Sequence, residues 1–213
     1  MTLIQSLVGA LCVCAHMHLS GAVQLAASDG FQAVTCGSSI KLMNVQSKMY
    51  MHSHEVSYGT GSKQQSVTSV PHKDDVNSMW VVRGTQTKPC SVGKPVMCGD
   101  TIRLTHGQTN KNFHSHLHVS PLSRQQEISA YGNDGEGDLG DEWVVVCDNQ
   151  TKWLRGENVF LKHNQTGKWA STSKDFGYGR PIEGQYEVAA RSQKDSRCSW
   201  IVKLGIFMRD SEE

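Results

Sequence analysis

Apolar and polar residues alternate at Ile40-Lys-Leu42 and Ile102-Arg-Leu104, and Val159-Phe-Leu161 keeps apolar residues at the same two places. A period of two sets one side of a strand against a core. Glycine-rich clusters, Gly59-Thr-Gly-Ser62 and Asn133-Asp-Gly-Glu-Gly137, punctuate these segments as turns. Amphipathic stretches at helical spacing are hard to find. The pattern therefore predicts many short strands joined by turns, an all-β fold.

The same pattern repeats. Gly37-Ser-Ser-Ile-Lys-Leu42 recurs as Gly99-Asp-Thr-Ile-Arg-Leu104 and as Gly156-Glu-Asn-Val-Phe-Leu161, at offsets of 62 and 57 residues. Within these frames Ser47-Lys-Met-Tyr-Met-His-Ser-His54 aligns with Thr109-Asn-Lys-Asn-Phe-His-Ser-His116 and with Thr166-Gly-Lys-Trp-Ala-Ser-Thr-Ser173. Each frame closes on a tryptophan (Trp80, Trp143 and Trp200), 40, 41 and 41 residues after its opening Ile or Val. Units of this size hide too little apolar surface to fold comfortably alone. Three copies converging on a shared centre predict a pseudo-threefold β-trefoil over residues 34–205, with repeats at about 34–88, 92–147 and 150–205. Residues 206–213 fall outside the pattern and are expected to form a loosely held tail.

The uncharged, apolar start Met1–Cys14, followed by Ser20-Gly-Ala22, predicts a secretory signal peptide over residues 1–22. Its removal leaves five cysteines. Cys36 and Cys98 occupy equivalent places, one residue before the opening glycine, while Cys90 and Cys147 follow the closing tryptophans. Since the ends of a closed repeat approach each other, Cys36–Cys90 and Cys98–Cys147 are the expected disulfides, although four cysteines permit three connectivities. Cys198, two residues before Trp200, is expected to be a buried free thiol. The sequons at Asn149 and Asn164 mark candidate glycosylation sites on a lumenal or extracellular route.

Lysine and arginine number 21 against 20 acidic residues. That balance argues against nucleic-acid binding through a broad basic field. No apolar run is long enough to span a membrane. His52 and His54, and His114, His116 and His118, stand two apart, so each set shares a strand face and could hold a metal. The third copy replaces them with Ser171 and Ser173, which favours hydrogen bonding to turn backbone, with no metal site. The acidic stretch Asp134–Glu142 lacks EF-hand spacing and reads as a solvated turn. No catalytic constellation or cofactor motif is found, so a binding module is expected rather than an enzyme. Ricin-type lectin repeats carry Gln two residues before the closing Trp; here those positions are Ser78, Asp141 and Cys198.

Several longer strings carry a resemblance: Tyr58-Gly-Thr-Gly-Ser-Lys-Gln-Gln-Ser-Val-Thr68, Ile102-Arg-Leu-Thr-His106, Phe113-His-Ser-His116, Ser120-Pro-Leu-Ser123, Gly135-Glu-Gly-Asp138 and Gly205-Ile-Phe-Met208. Together they resemble the stromal cell-derived factor 2 family, over about residues 34–208. The resemblance implies a β-trefoil of three MIR repeats, a module also found in protein O-mannosyltransferases and in inositol trisphosphate and ryanodine receptors. It further implies a chaperone cofactor without enzymatic activity in the endoplasmic reticulum. Its partners would be a lumenal J-domain co-chaperone, a BiP-type Hsp70, and unfolded or O-mannosylated clients. His52, His54, His114 and His116 are the partner-binding candidates. The alternative is a module that recognises glycans on O-mannosylated or N-glycosylated proteins. The chain ends Arg209-Asp-Ser-Glu-Glu213, without the HDEL-like retrieval tetrapeptide of many relatives, which leaves three alternatives: lumenal residence through a retained partner, secretion, or a truncated sequence.

Overall fold

The computed structural model describes residues 30–212; the expected signal peptide lies outside them. The first repeat forms β1 (Ser39–Asn44), β2 (Tyr50–Ser57), β3 (Gln65–Val70) and β4 (Trp80–Gly84). The second forms β5 (Thr101–His106), β6 (Asn112–Val119), β7 (Gln126–Tyr131) and β8 (Trp143–Cys147). The third forms β9 (Val159–His163), β10 (Trp169–Gly177), β11 (Tyr186–Arg191) and β12 (Trp200–Ile206). Three single-turn 3₁₀ segments, Val76–Ser78, Leu139–Asp141 and Ser196–Cys198, each lead into a closing strand.

β1, β4, β5, β8, β9 and β12 pair in that cyclic order and close a six-stranded barrel. In each repeat the opening residue faces the closing tryptophan across a ladder: Ile40 opposite Trp80, Ile102 opposite Trp143, Val159 opposite Trp200. The remaining strands form three hairpins whose second strands, β3, β7 and β11, pair with one another around the axis. This is a β-trefoil.

The tryptophans are fully buried, so each indole N–H must find an acceptor. All three solve this identically, donating to a carbonyl of the neighbouring hairpin strand: Met51 O at 3.2 Å, Phe113 O at 2.8 Å and Ala170 O at 3.0 Å. The residues supplying those carbonyls differ in size, and the repeats compensate. The Phe113 ring fills the space between Trp80 and Trp143, 5.6 and 4.6 Å from them, where the third repeat has only Ala170.

At the other end of the barrel, Val34 N donates to Trp153 O, Trp153 N to Val96 O and Val96 N to Val34 O, at 2.8, 2.9 and 3.0 Å. This closed triangle joins the leading segments of the three repeats. The Cys36–Cys90 and Cys98–Cys147 disulfides staple two of them. The third repeat has Arg155 at the corresponding place, and its guanidinium lies 3.7 Å from the centre of the Phe207 ring. That substitution corrects the expected loose tail. Thr35 Oγ1 donates to Met208 O at 2.7 Å, Lys152 pairs with the buried Asp210 at 3.0 Å, and Ser211 N donates to Gly93 O at 2.9 Å. The end of the chain completes the third repeat where it lacks a disulfide.

Candidate functional site

The turns ahead of the closing tryptophans are built alike. Asp75, Asp138 and Asp195 cap the 3₁₀ segments, accepting from Asn77 N at 2.9 Å, Gly140 N at 2.7 Å and Arg197 N at 3.0 Å. The next repeat then plugs into each turn. His106 Nε2 lies 2.9 Å from Asn77 O, His163 Nε2 3.0 Å from Gly140 O, and Asn44 Nδ2 donates to Arg197 O at 2.8 Å. The histidine tautomer follows from the chain of partners. Gln65 Nε2 donates to Thr109 Oγ1 and Gln126 Nε2 to Thr166 Oγ1, leaving these hydroxyls to donate to Nδ1 of His106 and His163. Nε2 therefore carries the hydrogen and donates to the turn carbonyl. Burial lowers the pKa of both imidazoles, consistent with neutral rings.

Spacing along the chain assigns no role to His106 or His163; the available signal is a polar residue (Asn44, His106, His163) two places after the second apolar position of each frame. Histidines do bind turn backbone here, but they are these two. His52 and His114 are interior, 2% and 3% exposed, which withdraws them from a partner-facing surface. His52 Nδ1 lies 3.1 Å from Thr68 Oγ1 and Nε2 3.4 Å from Asp75. Burial depresses its pKa to about 4, against the opposing pull of Asp75. His114 Nδ1 lies 2.9 Å from Asp141. His54 and His116 are half-buried. His116 Nε2 donates to Glu127 at 2.9 Å, and Ser62 Oγ donates to the same carboxylate. Burial alone would raise the Glu127 carboxyl, but the bonds from His116 and Ser62 outweigh it and hold the pKa below its ordinary value. Glu127 thereby ties the β2–β3 turn to the second repeat. Gly61, at φ +65°, makes room, because a Cβ there would fall 2.1 Å from Glu127 Oε2. Glu187 does the equivalent for the β6–β7 turn, accepting from Leu122 N at 2.8 Å and Ser123 N at 2.9 Å.

The acidic stretch is only partly solvated, correcting the sequence reading: Asp141 and Glu142 are buried. Its loop is held by Lys111 Nζ on Gly132 O at 3.0 Å and by Arg103 on Gly135 O at 2.9 Å. The loop forms one wall of an open groove of about 930 Å³ against the β2–β3 hairpin, lined by Lys63, Gln64, Lys111, Tyr131, Asp134 and Glu136 among others. Asn149 and Asn164 are exposed. Asn164 Nδ2 donates to Glu142 at 3.0 Å, and its sequon hydroxyl, Thr166, is the one bound to His163. Cys198 is buried and unpaired, and burial raises its pKa, which makes it a poor nucleophile. No helix among the described residues is long and apolar enough to cross a membrane.

A barrel closed by three tryptophan-ended repeats and capped by three hairpins is the architecture of a MIR domain, and the MIR family model matches residues 49–201. The chain is 47% identical to stromal cell-derived factor 2 from Bos taurus over 87% of both chains. It is 45% identical to the Homo sapiens protein over 91% of both. It belongs to the stromal cell-derived factor 2 family. The crystal structure of the SDF2-like protein from Arabidopsis thaliana superposes with a TM-score of 0.81 at 38% identity, covering 84% of this chain and 99% of that one. The chain is also similar to part of the S. cerevisiae protein O-mannosyltransferase complex bound to its sugar donor. There the TM-score is 0.72 at 26% identity, over 86% of this chain and 28% of that one.

Proposed function

We propose that the protein is a chaperone cofactor of the secretory pathway without enzymatic activity. In this reading it works in the endoplasmic reticulum lumen or after secretion, binding a lumenal J-domain co-chaperone, its Hsp70, and unfolded clients. The observation that carries the reading is membership of the stromal cell-derived factor 2 family across nearly the whole chain. Two disulfides support an oxidising compartment. The titratable side chains of the turns mostly tie repeat to repeat, the pattern of a rigid scaffold. The test is an aggregation assay on a denatured client. The protein with a J-domain partner should suppress aggregation more than either component alone; equal suppression by the partner by itself counts against the reading.

A second reading, recognition of glycans on client proteins, is favoured by the groove between the β2–β3 hairpin and the acidic loop. Tyr131 there offers a ring for stacking, and Gln64, Asp134 and Glu136 offer hydrogen-bonding groups. The likeness to the O-mannosyltransferase complex supports it. Saturable binding on a mannose-glycan array, abolished by Tyr131→Ala, would favour this reading over the first.

A further inference from the structure

Comparing the three capping turns position by position isolates one that differs. All three are capped by an aspartate, and the first and third close with Ser78 and Cys198 two residues before the tryptophan. The second has Asp141 instead, a fully buried carboxylate whose Oδ2 accepts from Asp138 N to close a capping box while its Oδ1 faces His114. One residue earlier the first and third turns carry Asn77 and Arg197, while the second carries Gly140. A Cβ on Gly140 would fall 2.4 Å from Cε1 and 2.8 Å from Nδ1 of His114, so the glycine keeps the space beside this imidazole free. Both departures surround the same ring.

His114 Nδ1 lies 2.9 Å from Asp141 Oδ1 and 3.6 Å from Asp138 Oδ1, and the three potential ligand atoms all fall within 4.8 Å of one another. Ligands about 2.0–2.2 Å from a tetrahedral zinc stand roughly 3.3 Å apart, and the two distances from His114 Nδ1 bracket that spacing. Two carboxylates face one imidazole. The guanidinium of Arg103 does not offset them by contact, since it is directed at the carbonyls of Gly84 and Gly135. Supporting bonds orient the carboxylates from behind: Asn112 Nδ2 and Asp138 N donate to Asp141 Oδ2, each at 3.0 Å. Asp138 is largely exposed, leaving an entry path and room for water as a further ligand.

We propose that His114, Asp138 and Asp141 form a binding site for a zinc-class divalent cation, present in the second repeat alone. The metal takes the Nδ1 lone pair, the imidazole proton resides on Nε2, and the two carboxylates supply one oxygen each. One imidazole with two carboxylates suits zinc better than the all-oxygen shell that calcium prefers.

The experiment is calorimetric titration of zinc chloride into the full chain, with thermal unfolding read in parallel. Wild type should bind a single zinc and unfold at higher temperature with it, whereas calcium should leave unfolding unchanged. Asp138→Asn keeps an oxygen to cap Gly140 N and should weaken zinc binding about tenfold or more. Asp75→Asn, the same change in the first repeat, should leave the affinity as in wild type. The proposal is overturned by absence of zinc binding to wild type, by wild-type affinity in Asp138→Asn, or by a response abolished instead in His118→Asn, which would place the ion on the exposed hairpin.

Discussion

Thr109 Oγ1 donates to His106 Nδ1 at 2.9 Å, and this hydrogen bond fixes which nitrogen of the imidazole reaches Asn77 O in the preceding repeat. A single hydroxyl thereby sets the polarity of a junction between repeats. The third repeat's Thr166 and His163 repeat the arrangement, and in the first repeat Ser47 and Asn44 do the same work with an amide.

That substitution within the molecule predicts the outcome of substituting His106. His106→Leu leaves the part-buried Asn77 O without its donor and Thr109 without its acceptor, and is expected to lower unfolding stability by about 1–3 kcal/mol. His106→Asn restores a donor, as Asn44 does at the equivalent place, and should recover at least half of the loss. Urea denaturation of the two variants beside wild type measures this; equal destabilisation by both would show that the junction bond carries no weight.

Acid should act on His52. Its pKa in the folded chain is depressed to about 4 by burial, against 6.5 for the free side chain. Between those values the unfolded chain binds more protons than the folded one, so stability rises with pH. The contribution is complete above about pH 6.5 and is lost progressively as the pH falls towards 4, to a total of up to about 3 kcal/mol. Asp75 faces the ring and favours its charged form, while His54 and His106 oppose it. His52→Gln should flatten the pH dependence of urea midpoints between pH 6.5 and 4. An unchanged slope would place the acid sensitivity elsewhere.

The disulfides enclose sequence separations of 54 and 49 residues. Opening either by paired Cys→Ser substitution should cost about 4 kcal/mol on the chain-entropy account. Non-reducing peptide mapping should recover Cys36 with Cys90 and Cys98 with Cys147. Cys198 should react with iodoacetamide only after denaturant is added. A peptide joining Cys90 to Cys98, or rapid alkylation of Cys198 in the native protein, would contradict the arrangement.

Much of this architecture was legible beforehand because it rests on local pattern and copy number. Ile40, Ile102 and Val159 share a frame, as do the closing tryptophans, and barrel closure requires both sets to meet across ladders. The disulfide partners followed from the same frames. The histidine roles did not. Imidazoles at equivalent positions point into the interior when the turn ahead of the tryptophan covers them, and that turn lies 23–27 residues downstream. Spacing along a strand could name the face that His52 and His54 share, but not what would be laid over it.

The amino-acid order alone determined a threefold β architecture and its cysteine staples, because strand alternation and repetition are properties of neighbouring residues and of simple offsets. Only tertiary structure decided that Glu127 would hold Ser62, that Arg155 would stack on Phe207 in place of a third disulfide, and that Asp141 would be buried against His114. Those pairings join segments distant in sequence, and a buried charge keeps its place only when folding brings a matching donor to within hydrogen-bond distance.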